Sequence, residues 1–185
     1  MIKRAQQVEE TRQRIVAATV GLHGTIGPAA TTVSGIAEAA GVTRVTVYRH
    51  FPDENALFAA CTSHWAAQQR MPDLAAWREI PAAEDRAQAA LTDLYRFFRE
   101  AEPMLSLTTR DREALPDFVR ERNQQTAQAQ IDALLLAWPP RQRTKNRRAL
   151  VGHAMTFATW RSLCVDQALP QRDAVAAMTR LVVDC

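Results

Sequence analysis

The chain has 185 residues and a mass of 20.7 kDa, which suits one ordinary domain or a small domain joined to a larger one and excludes a disulfide miniprotein. With 47% hydrophobic and 23% charged residues it has the composition of a soluble folded protein. No stretch approaches the roughly eighteen apolar residues of a membrane span. The net charge of +3 sits in the first third: residues 1–52 hold six basic and three acidic side chains, and the rest sums to zero, as expected if that part meets a polyanion.

Met1-Ile-Lys-Arg-Ala-Gln-Gln lacks the apolar core of a secretory signal. Cys61, Cys164 and Cys185 are odd in number and unrelated in spacing, so a reducing cytoplasm is the expected setting and no metal or other cofactor is expected. Nine prolines punctuate stretches of helical period, and the Thr43–Val47 cluster of β-branched residues is flanked by helix signals. The expected fold class is all-α.

In chain order, a first helix is expected from about Arg4 to His23, with Val8, Ile15, Ala18 and Leu22 on its apolar stripe. After a loop over residues 24–30, Thr32 caps a short helix, Val33–Ala40, which Gly41 closes in the left-handed conformation. Thr43 caps the next, reaching about His50. A fourth runs from about Glu54 to Arg70, stacking Leu57, Cys61 and Trp65, and Pro72 ends it.

Downstream, Leu91, Leu94, Tyr95 and Phe98 mark a helix over about 82–101, followed by a shorter segment after Pro103. A long helix is expected over about 116–138, then two more over about 144–168 and 173–183. These last two are apolar on several faces, which predicts a homodimer built through about residues 144–183.

The window Val33–Phe51 has the chemistry of a helix-turn-helix. Ala37 is the small residue that lets two short helices cross closely, Gly41 is the turn, and Ile36, Ala40, Val42 and Val47 form the shared core. Arg44, Val45, Thr46, Tyr48 and Arg49 then face outward on a helix that fits a major groove. Thr32 and Thr43, at helix N-termini, offer hydroxyl and backbone donors to phosphates. The bland alternative is a helical hairpin in an ordinary core.

Ile15…Ala18…Leu22…Gly27…Thr31-Thr32-Val33…Ile36-Ala37…Ala40-Gly41-Val42-Thr43…Thr46-Val47-Tyr48-Arg49-His50-Phe51…Leu57 resembles the DNA-binding head of the tetracycline-repressor (TetR) family of bacterial regulators, over about residues 8–65. The resemblance implies a three-helix head over 1–52 and a larger helical ligand-binding and dimerisation body over 53–185, with 54–70 as connecting helix. It further implies a homodimer on a palindromic double-stranded operator, and repression relieved by a small molecule of unknown identity. Carried over by position, it puts Thr32, Thr43, Tyr48 and His50 on the phosphate backbone and Arg44, Val45, Thr46 and Arg49 in or beside the groove. Two residues depart from the pattern: His23 stands where the family often has phenylalanine, and Glu54 where it often has lysine. Glu54 is expected instead to cap its own helix.

Other features have competing readings. Met104, Trp138, His153, Met155, Phe157 and Trp160 are candidates for a ligand wall or for plain core. Lys3 and Arg4 suit an arm on DNA or a solvated terminus, and Arg141, Arg143, Lys145, Arg147 and Arg148 suit a polyanion contact or a solvated helix start. Cys61 and His64, one turn apart, are expected to be a core thiol and a partly exposed imidazole rather than metal ligands. With no Gly-rich phosphate loop, nucleophile elbow or metal-ligand spacing, an enzyme is not expected. A ligand-independent or architectural DNA-binding protein is the alternative function.

Overall fold

The computed structural model describes residues 2–185, and no strand occurs among them. Eleven α-helices are present among the described residues: α1 (Ile2–His23), α2 (Val33–Ala40), α3 (Arg44–His50), α4 (Glu54–Ala67), α5 (Leu74–Arg78), α6 (Ala83–Glu100), α7 (Glu102–Arg110), α8 (Asp117–Leu135), α9 (Lys145–Ala154), α10 (Phe157–Arg161) and α11 (Gln171–Val183). They divide into two compact units. The first runs to Gln69 and takes in Glu102–Glu121; the second comprises Arg70–Ala101 and Arg122–Cys185.

In the first unit, α1 packs on α2, α4 and α7. Its core is Ile15, Val16, Ile36, Ala37, Ala40, Val47, Phe51, Leu57 and Cys61, with Val42 and Leu22 packed against it. Fully burying a side chain such as Ile15 or Val47 stabilises by about 1.5–3 kcal/mol, so this short list holds the head together. Val8 departs from the expected stripe: it is 50% exposed, because the packing of α1 begins near Ile15 and residues 3–10 all face solvent.

In the second unit, α11 buries Ala174, Val175, Thr179 and Val182 and packs on α6 and α9. α6 supplies Ala87, Ala90, Leu91, Leu94, Tyr95, Phe97 and Phe98, and the buried Tyr95 hydroxyl donates to the Ala154 carbonyl at 2.9 Å. The single helix expected over 144–168 is interrupted. Thr156 breaks it by capping α10: its hydroxyl accepts the Thr159 N–H at 3.1 Å and lies 3.0 Å from the His153 carbonyl, to which it donates. A π-helical turn, Ser162–Asp166, follows. α8 ends at Leu135, so Trp138 lies in the turn beyond it, and α5, unforeseen, is capped by Asp73. Among the described residues no helix is long and apolar enough to cross a membrane.

Candidate nucleic-acid interface

The turn between α2 and α3 forms as the residue types dictate. The Thr32 hydroxyl accepts the Gly35 N–H at 3.1 Å, and Gly41, at φ 64° and ψ 41°, ends α2 while the Val42 N–H bonds to the Ala37 carbonyl at 2.9 Å. A side chain with a Cβ is strained at that φ, which is why glycine stands there. The Thr43 oxygen then accepts the Thr46 N–H at 3.2 Å and pairs with the Thr46 hydroxyl at 3.0 Å. Both capping oxygens accept from backbone; the Thr32 hydroxyl hydrogen is left to meet an incoming acceptor, and Thr43 shares its hydroxyl with Thr46.

Val47 and Phe51 anchor α3 from below, at 1% and 2% exposure. The Arg12 guanidinium lies over the Phe51 ring, 4.9 Å from its centroid. With Val47 turned inward, α3 presents Arg44, Val45, Tyr48 and Arg49 to solvent, with Thr46 and His50 half-buried. Thr32 and Thr43 are exposed. The eight residues picked out in the sequence thus lie on one continuous segment of α2 cap, turn and α3. His50 is held below the ordinary histidine value by partial burial first and then by Arg49 and Arg12, so it meets neutral solution as an uncharged imidazole.

Asp53, not Glu54, caps α4: its carboxylate accepts the Ala56 N–H at 2.7 Å, and Glu54 occupies the exposed first turn. The ring of His23 is buried against Phe58, 4.9 Å between centroids, and burial pushes its pKa down. Cys61 lies in the core, where burial pushes its thiol up to about 11, while His64 lies 2.9 Å from the side-chain amide of Gln68.

The loop after α1 is held by two residues that sequence reading passed over. Asp111 accepts the Ala29 N–H at 3.0 Å, and Arg110 donates to the Ile26 carbonyl at 2.8 Å while pairing with Asp111 at 2.7 Å. Nothing local marks this pair, because its partners are more than eighty residues away in sequence.

The residues considered for a ligand wall are dispersed. Phe157 and Trp160 stack at 5.4 Å with Phe98 edge-on to Phe157 at 5.6 Å; Trp138 lies under the Arg147 guanidinium at 5.0 Å; Met155 is buried; His153 is exposed. Met104 belongs to the first unit, on α7, half-buried. In the basic run, Arg147 is buried rather than solvated, with Arg143 bonded to the Trp138 carbonyl and Arg148 paired with Asp132 at 2.6 Å.

A three-helix head whose third helix stands out of the fold with two arginines and a capped, hydroxyl-bearing N-terminus defines a helix-turn-helix domain of the nucleic-acid-binding class. Residues 15–61 match the family described as bacterial regulatory proteins, tetR family. Over 57 residues the chain is 42% identical to the HTH-type transcriptional regulator AcrR of Shigella flexneri, a match covering 31% of this chain and 26% of that protein. A solved structure, a tetR-family transcriptional regulator from Streptomyces coelicolor, superposes with a TM-score of 0.62 at 21% identity, covering 95% of this chain and 78% of that one. The likeness to the tetR family thus lies in residues 15–61, the segment that carries the helix-turn-helix.

Proposed function

We propose that the protein is a DNA-binding transcriptional regulator that acts as a homodimer on a palindromic operator and is released from it by a small molecule. The observation that carries this reading is the composition of the exposed face of α3: Arg44, Val45, Tyr48 and Arg49 project, with Thr46 half-buried among them, from a helix with no acidic residue. Thr32, Thr43, Tyr48 and His50 hold the phosphates, and Arg44, Val45, Thr46 and Arg49 meet the groove. A second copy, joined through the region 144–183, places the two recognition helices about one DNA turn apart, ~34 Å. The ligand is taken by the helical body, where the Phe98, Phe157 and Trp160 rings and Trp138 supply aromatic surface. The regulator works in the cytoplasm and needs no cofactor or catalytic step.

The experiment is fluorescence anisotropy of the full chain against the DNA flanking its own gene and against a scrambled duplex, at two salt concentrations. A preference of ~10³ or more with one dimer per site is expected. Equal, steeply salt-dependent binding to both would reduce the protein to a phosphate-binding, architectural role. Within a specific complex, Arg44→Ala is expected to cost ~1–3 kcal/mol on the operator and to relax sequence choice, whereas Tyr48→Phe weakens all duplexes alike.

A further inference from the structure

Val45 is 77% exposed, more than any other large hydrophobic side chain among the described residues. Folding gains almost nothing from it there. Valine is a poorer helix former than alanine, leucine or arginine, and its isopropyl group lies in water on a helix of seven residues. What valine does supply is rigidity: branching at Cβ holds both methyls in one strongly preferred helical rotamer. The position therefore offers a fixed apolar knob beside Arg44, one residue into the helix that the cap of Thr43 begins.

The chemistry around the knob narrows what it can read. From Arg44 to His50 the helix carries no carboxylate and no carboxamide, the groups that accept from the amino groups of cytosine and adenine. The acceptors that remain are the Tyr48 hydroxyl and His50 imidazole farther along the helix and the Thr46 hydroxyl, which is half-buried and shared with Thr43 at 3.0 Å. At Arg44 and Val45, where the helix begins, the face offers donors and methyl groups. In the major groove these answer guanine, with its two acceptors, and thymine, with its 5-methyl group.

We propose that Val45 is a specificity-determining residue that reads thymine through its 5-methyl group, next to a base contacted by Arg44. This rests on the reading that α3 enters a major groove. Contact between the isopropyl group and one methyl is worth about the burial of one methylene, about fourfold in affinity.

The test selects a preferred duplex from a randomised pool with the full chain, then replaces each thymine in turn by deoxyuridine, which removes only the methyl. The wild type is expected to lose about fourfold at one position of each half-site. Val45→Ala, whose fold is checked by circular dichroism, is expected to bind thymine and deoxyuridine equally at that position. An enriched sequence indifferent to deoxyuridine everywhere, or a Val45→Ala protein that keeps the same discrimination, overturns the proposal alone. A pool that yields no enriched sequence overturns the regulator reading with it.

Discussion

The Asp111 carboxylate accepts the backbone N–H of Ala29 at 3.0 Å across 82 residues of sequence, and so fastens the loop between α1 and α2. Gly27 in that loop has φ 92°, and a Cβ there would collide with Asp111 Oδ2 and with the Arg110 guanidinium. Gly27→Ala is therefore expected to destabilise the protein by ~1–3 kcal/mol in urea titrations. The Arg110 guanidinium holds the Asp111 carboxyl below its usual range. Its contribution to stability is thus present above the ordinary aspartate value of about 3.9 and lost as pH falls through the lower folded value. Asp111→Asn should lower the melting temperature at neutral pH and lose less than the wild type on acidification. Identical acid profiles would show that the bond carries no weight.

The caps of α2 and α3 tie stability to the interface. Thr43→Ala removes the oxygen that accepts the Thr46 N–H and should cost ~1 kcal/mol of stability, along with affinity for any duplex. Thr43→Ser keeps the oxygen and should restore most of both. If serine behaves like alanine in anisotropy, the hydroxyl is not what matters.

His23 gives the head a sensitivity to mild acid. Burial pushes its pKa below the ordinary value of 6.5, so the fold favours the neutral ring. The associated stability is complete above pH 6.5 and is lost as pH falls from there through the lower folded value. His50 shifts the same way and adds to the slope, so the measurement must be a difference. His23→Phe keeps an aromatic ring against Phe58 and cannot titrate. It should lose less melting temperature between pH 7 and pH 5 than the wild type, and equal losses would exclude His23 as a source.

Arg147 closes the end of α11. Its guanidinium donates to the carbonyls of Gln142 at 2.8 Å, Val182 at 3.3 Å and Val183 at 3.2 Å, reaches that of Cys185, and lies over the Trp138 ring. Arg147→Met preserves bulk but leaves these acceptors without their donor, an expected loss of ~2–3 kcal/mol by denaturant unfolding. Arg147→Lys should recover only part, because an ammonium lacks the planar fork that reaches several carbonyls at once. A methionine variant as stable as the wild type would mean that solvent satisfies the helix end.

The helix-turn-helix was legible because its determinants are local. Thr32, Gly41 and Thr43 act on backbone groups within five residues, and Ala37, Ile36 and Val47 pack within a single supersecondary unit. The limits of α2 and the start of α3 follow from these residues alone. Local rules also misplace some features. Asp53 takes the cap of α4 because its oxygen reaches the Ala56 N–H, and Thr156 divides an apolar run whose composition reads as one helix.

Sequence alone thus determined an all-α chain with a basic head and named the residues of its exposed third helix, since charge, capping chemistry and period are properties of neighbouring residues. Tertiary structure decided that Arg147, alone in its basic run, is buried, that Val8 is solvated on an apolar stripe, and that Asp111 fastens a loop 82 residues away. Each of these depends on which distant surface arrives at a side chain, and pairings across long loops are set by the packing of the whole fold, which no local pattern encodes.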